Sequence, residues 1–199
     1  MKIILIGAGG TIGSAVAREL EQRHEVIQVG RNSGDLQADI SDSASIRRLF
    51  EQTGRFDALV CAAGNVVFAP LDELDEQGFA LGLNDKLMGQ VNLLLIGREF
   101  INDGGSFTFT TGVTSHDPIR TGTSASLVNG AIDAFVRAAA IELPRGLRVN
   151  AISPTVLLEA MPDYAPYFRG FKPVPAADVA LAYAKSVEGL QTGQTYHVG

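Results

Sequence analysis

The chain is predicted to fold as a doubly wound α/β domain, a parallel sheet with helices on both faces. Short apolar, β-branched runs alternate with amphipathic helical runs along all 199 residues. The first of these runs opens into a glycine turn, and no internal repeat or low-complexity tract interrupts the alternation. Alternation of this kind implies right-handed crossovers, and therefore parallel strands in a three-layer domain.

Strands are expected at Lys2–Ile6, Glu25–Val29, Ala58–Cys61, Ser106–Thr110, Arg148–Ile152 and Thr195–Val198, with a short, polar one at Gln37–Ala38. Helices are expected at Ile12–Arg23, Ala44–Thr53, Glu76–Phe100, Ser124–Leu143 and Ala176–Glu188. In such a fold ligands bind beyond the carboxyl ends of the strands, so those ends are read in order.

The first strand runs into Gly7, Gly9, Gly10 and Gly13, with a helix opening at Thr11 and Ile12. Strand, glycine loop and helix in this order suit a dinucleotide pyrophosphate. The glycines let the backbone approach it, and the helix N-terminus supplies free N–H groups. The second strand ends Val29-Gly30-Arg31-Asn32-Ser33, with no carboxylate before Asp35. A site for NAD usually places an acid there to hold the ribose. A guanidinium pairs instead with a phosphate, so Arg31, with Asn32 and Ser33, points to NADP(H) rather than to a solvated loop arginine. Asp39, followed by Ile40, offers an acceptor for the adenine amino group. Ala62, Ala63 and Gly64 are small enough to leave room for the adenosine ribose, or to pack tightly in the core.

Composition bounds the rest. One cysteine, Cys61, precludes an internal disulfide and fits a reducing compartment such as the cytoplasm. The chain opens directly into its first strand without a basic leader, and no apolar stretch reaches membrane-spanning length. A net charge of −6 argues against nucleic acid as a partner. No metal site is expected. Val91, Leu94, Leu95, Ala131, Phe135, Val136 and Ala139 exceed what one sheet-facing stripe requires, which predicts a homodimer or homotetramer joined through these two helices.

Taken together, these segments resemble the short-chain dehydrogenase/reductase superfamily over nearly the whole chain. The glycine turn resembles its cofactor loop, with Thr11 where the middle glycine usually stands. Cys61-Ala62-Ala63-Gly64 resembles its Asn-Asn-Ala-Gly motif. Phe135–Leu143, Arg148–Pro154 and Thr192–Gln194 match its helix, strand and closing turn. The resemblance implies a Rossmann-like single domain over residues 1–199, with a substrate lid shortened near 156–175. It also extends the cofactor site to Pro154 and Val156, although Thr155 replaces the usual glycine.

Members of that family reduce a carbonyl with a tyrosine, a lysine four residues later and a serine. Here the tyrosine position falls on Ala125, the lysine position on Asn129, and the serine position on Gly112 or Thr111. Lys86 with Asn129 resembles the arrangement in polyketide synthase ketoreductase domains, where the lysine comes from the earlier helix. Asn84 is a candidate for the family's structural asparagine. The resemblance therefore implies an NADP(H)-dependent oxidoreductase for a small carbonyl or hydroxyl substrate, with Lys86, Asn129 and Thr111 as catalytic candidates. The missing proton donor would be Thr111, Ser124, a lysine-bound water, Tyr164, Tyr167 or His116. The alternative is a nucleotide-binding module without chemistry, because fold alone does not decide function.

Overall fold

A computed structural model describes all 199 residues. Seven strands form one sheet, every pairing parallel, in the order β3-β2-β1-β4-β5-β6-β7. The strands are β1 Lys2–Ile6, β2 Glu25–Gly30, β3 Leu36–Gln37, β4 Phe56–Cys61, β5 Ile101–Thr110, β6 Arg148–Pro154 and β7 Thr195–Val198. The helices are α1 Thr11–Leu20, α2 Ser43–Thr53, α3 Glu76–Gly82, α4 Met88–Gly97, α5 Thr123–Glu142, α6 Met161–Tyr164 and α7 Ala176–Glu188.

Strand alternation builds two cores. Ile4 and Ile6 of β1 face a cluster with Phe50, Leu93 and Val128, while Ile3 and Leu5 face one with Val16, Leu20, Val179 and Tyr183. Helices α2, α4 and α5 therefore cover one face, and α1 and α7 the other. The strand order reverses between β1 and β4. The loops after these two strands form the crevice where such sheets bind ligands.

Three expected elements differ in detail. The short strand is Leu36–Gln37 rather than Gln37–Ala38, because Ala38 turns into the core toward Ile40. Strand β5 begins at Ile101, five residues before the apolar run, and its pairing with β4 shifts register between Phe56 and Ala58. The single helix expected over Glu76–Phe100 is interrupted by a π-helical turn, Leu83–Leu87, and α4 ends at Gly97. Single π turns of this kind are rare inside α-helices and are found frequently at functional sites. Residues 157–174 make an excursion closed at its base, where Leu158 N donates to Val174 O and Val174 N to Val156 O. Phe168 anchors it against Val113 and Val156.

Helix α1 must pack directly on the turn that precedes it. A Cβ at Gly13 would lie 2.0 Å from the Gly7 carbonyl oxygen, whereas one at Gly130, in α5, meets nothing within 4 Å. Gly13→Ala is expected to cost about 2–3 kcal/mol of stability by overpacking. Gly130→Ala should instead add roughly 0.5–1 kcal/mol, the usual helical gain over glycine. Urea unfolding midpoints moving in opposite directions check both.

Candidate active site

Two clefts open at the carboxyl edge of the sheet and meet at Gly64. The first, about 320 Å³, is lined by the glycine turn (Gly7, Gly10), the end of β2 (Gly30, Arg31), Ala38 and Ile40, and Ala62–Asn65. Helix α1 has no side-chain cap at its N-terminus, and Gly10 and Thr11 are exposed there. Its first-turn amides are thus left for an anion. An open glycine cradle, an uncapped helix end and an apolar slot at Ile40 and Ala63 fit the phosphates and adenosine of a dinucleotide.

The Arg31 guanidinium reaches over this cleft. It donates to Asp39 Oδ1 at 3.2 Å and to Asp85 Oδ2 at 3.1 Å, and both carboxylates hold it in its charged form. Asp39 also accepts from Ser41 N and Ser41 Oγ, which with Arg31 keep its carboxyl below the usual range. Its Oδ1 thus has three partners within the protein, whereas Oδ2 has none. Neither carboxylate belongs to the stretch between Arg31 and Asp35: Asp39 comes from beyond β3 and Asp85 from the π-helical turn.

The second cleft, about 270 Å³, lies beyond Gly64 and is lined by Lys86, Thr111, Ala125, Asn129, Pro154 and Val156 among others. Lys86 sits in the π-helical turn and is buried. Its Nζ donates to Asn129 Oδ1 at 2.7 Å and to the Thr111 carbonyl at 3.4 Å. Asn129 Nδ2 donates in turn to Thr114 Oγ1 at 2.9 Å, which fixes the amide with its oxygen toward the lysine. Two of the three ammonium protons are engaged, and one remains for a group in the cleft. Gln90, one turn further on, clamps the end of β5 through both the N–H and the carbonyl of Thr110. Gly64 makes the approach possible. Its φ is 129°, and a Cβ there would lie 2.5 Å from Lys86 Cγ.

Burial pulls the Lys86 ammonium down to about 8. Of the two acidic groups that oppose this, burial holds Cys61 as a neutral thiol up to about 12. The countercharge is therefore Asp133, buried one turn after Asn129 and bonded to Thr195 Oγ1 at 3.1 Å.

Most of the other candidates fall outside the two clefts. Gly13 is a packing residue beneath the turn, and Gly9 and Thr11 stand exposed at its rim. Ile12 lines the second cleft. Asn32 and Ser33 are exposed in the β2–β3 loop and line neither cleft. Thr111 contributes its carbonyl to Lys86, while its hydroxyl donates to the Ile152 carbonyl at 3.3 Å. Ser124 is fully buried beside Gly82 and has no hydrogen-bond partner. Tyr164 and Tyr167 are exposed on the 157–174 excursion, where Tyr164 packs on Phe68 and Phe168. His116 lies in a separate polar cleft, edge-on to His197 at 4.4 Å. Asn84 is exposed and makes no side-chain bond. None of the four tyrosines lines the Lys86 cleft. The sequence reading missed Asn65, Asp85, Gln90 and Thr114. Only Asp85 carried a signal, its position next to Lys86.

A family model described as enoyl-(acyl carrier protein) reductase matches residues 8–198, and the chain belongs to this family of short-chain dehydrogenases/reductases. A solved structure of a Listeria innocua protein is 52% identical, with a TM-score of 0.98 over the whole of both chains. A small-chain dehydrogenase solved in complex with NADPH is 27% identical, with a TM-score of 0.88, covering 100% of this chain and 96% of that one. A short-chain dehydrogenase/reductase of Pestalotiopsis microspora is 29% identical over 181 residues, 77% of this chain and 68% of the relative.

The depressed Lys86 ammonium makes stability depend on pH. Between about 8 and the ordinary 10.5 the unfolded chain holds a proton there that the folded chain has released. Stability contributed at this site must therefore rise with pH across that window, by about 3 kcal/mol in all. The difference in unfolding free energy between native protein and Lys86→Met, measured by urea titration from pH 8 to pH 10, is expected to grow accordingly. A flat difference would place Lys86 in an ordinary solvated environment.

Proposed function

We propose that the chain is an NADP(H)-dependent reductase of a small carbonyl compound, working in reverse on the alcohol, with Lys86 as the source of the proton. The observation that carries this reading is the Lys86 ammonium, buried at the cleft wall by Asn129 and Thr111 with one N–H unspent. Lysine is rarely buried without a partner or a purpose, and nothing in the packing requires one here.

The bound cofactor would supply the hydride. The glycine turn and the first-turn amides of α1 would hold its pyrophosphate, Ala62–Gly64 and Ile40 its adenosine, and Arg31 its extra phosphate. Ile12, Pro154 and Val156 would wall the reacting end. Lys86 would place positive charge where the carbonyl oxygen gains electrons, and then give that oxygen a proton. With Lys86 near 8, the acid is present at neutral pH and poised to release. Asn129 holds Nζ in place. The NADPH complex of the structurally similar dehydrogenase supports the cofactor assignment. The absence of tyrosine from the cleft favours one other reading, a nucleotide-binding module that has lost its chemistry.

Four arms of one experiment separate them. NADPH should bind more than tenfold tighter than NADH, on the order of 2 kcal/mol for a charge-assisted phosphate contact, and Arg31→Ala should remove the preference. Lys86→Met should abolish NADPH oxidation on small ketones while leaving NADPH affinity within a few fold. Reduction should be flat below about pH 8 and decline above it, because the protonated amine is the acid. Ala125→Tyr, on the face of α5 one turn before Asn129, should gain or raise activity, since a phenol there lies near the ammonium. NADPH binding without oxidation by any of the three proteins would favour the binding module.

Pairing of two copies through α4 and α5 is part of the same proposal. Leu95 and Ile141 are exposed, and Leu94, Phe135 and Ala139 line a groove between the two helices. Light scattering at micromolar concentration is expected to report at least twice the one-chain mass, and Leu95→Glu to halve it. No helix is long and apolar enough to cross a membrane, and a cytoplasmic setting is proposed.

A further inference from the structure

Arg31 is half-exposed, so its pairs with Asp39 and Asp85 contribute little to stability. Their geometry is nonetheless specific. Asp85 is the more buried of the two carboxylates, 14% exposed against 41%. It is itself fastened, accepting from Asn65 N at 3.2 Å and from Asn65 Nδ2 at 2.9 Å. Arg31, Asn65 and Asp85 all line the first cleft, from opposite sides: Arg31 follows β2, whereas Asp85 stands in the π-helical turn. The bridge Arg31–Asp85–Asn65 thus joins two sides of the cleft, with the carboxylate fastened by Asn65 and the guanidinium half-exposed.

We infer that Asp85 sets how strongly this cleft discriminates a phosphorylated from an unphosphorylated adenosine ribose, by competing for the Arg31 guanidinium. This rests on the reading that the cleft holds NADP(H). A ribose phosphate carries a charge near −2 and three acceptor oxygens, so it outcompetes one carboxylate for the guanidinium. The displaced Asp85 does not leave, because Asn65 holds it by two hydrogen bonds. It stays as a second negative charge beside the phosphate and opposes binding. An unphosphorylated ribose disturbs neither group. Asp85 therefore lowers affinity for the phosphorylated ligand selectively, and holds the discrimination by Arg31 below what a free guanidinium would provide.

Asp85→Asn tests this with the whole protein. Asparagine keeps an oxygen for Asn65 N, and it removes the charge together with the Oδ2 acceptor that Asn65 Nδ2 and Arg31 share. The probes are adenosine 2′,5′-bisphosphate and AMP, titrated by calorimetry, so that the readout does not depend on turnover. The bisphosphate should bind about three- to tenfold tighter to Asp85→Asn than to native protein, and AMP within twofold. The gain should shrink as salt is raised from 20 to 300 mM, and should fall, to the part due to repulsion alone, when Arg31→Ala is added. Asp85→Ser should show the same direction, which guards against a folding defect particular to one variant. A bisphosphate affinity unchanged within twofold in both variants overturns the role of Asp85. Native protein that binds bisphosphate and AMP equally overturns instead the reading of the cleft on which it rests.

Discussion

A charged amine inside a protein must be hydrogen-bonded, and much of the architecture around the second cleft follows from satisfying Lys86. An ammonium taken out of water loses several kcal/mol of hydration unless acceptors replace it. Here the acceptors come from two different elements, Asn129 on α5 and the Thr111 carbonyl after β5. Each is fixed by a further bond, Asn129 to Thr114 and the end of β5 to Gln90. The lysine reaches them from a π turn of its helix, past Gly64, which offers no Cβ in its path. Asparagine is well suited to the partner's place. A carboxylate there would hold the ammonium charged and raise its proton affinity, whereas a neutral amide oxygen orients it and leaves burial free to lower that affinity.

The two clefts are joined by chain connectivity. Asp85 and Lys86 are consecutive residues of the π turn, yet Asp85 lines the first cleft and Lys86 the second. Asn65, which fastens Asp85, directly follows Gly64, which the two clefts share. A ligand that displaced Arg31 from Asp85 would therefore do so at the same turn that carries the ammonium. The sheet makes this possible. Its order reverses between β1 and β4, so the loops after these strands diverge and leave a crevice where the helical turn comes down.

Much of the fold was legible in the sequence because the strong signals were local. The runs at Lys2–Ile6, Thr195–Val198 and Ala176–Glu188 form the expected elements with the expected ends. What escaped were features set by tertiary contact. The start of β5 is polar, Asn102–Gly105, and is a strand because β4 pairs with it. The π turn is a one-residue insertion that preserves an apolar face on either side of it. Lys86 and Asn129 were legible as a pair only through resemblance. Lysine in a helix is ordinarily solvated, and its burial depends on Gly64, 22 residues earlier. Arg31 was legible as a cation at the end of β2, but its two acidic partners were not. One lies eight residues on and the other 54.

The absence of a tyrosine from the Lys86 cleft bears on how an acid works there. A phenol has an ordinary value near 10 and needs a neighbouring cation to lower it. An ammonium also starts near 10, but burial alone lowers it, since here the charged form is the acid and desolvation disfavours charge. For a phenol the charged form is the base, and desolvation moves it the wrong way. Tyr183 illustrates this: it is fully buried against Thr110 on the other face of the sheet, and burial raises its phenol. A lysine in a dry pocket therefore reaches a useful range without a partner charge, where a tyrosine in the same pocket does not. A phenol gains the cation it needs only beside such an amine, and Ala125, small and buried at the wall of the Lys86 cleft, is the place where it would stand.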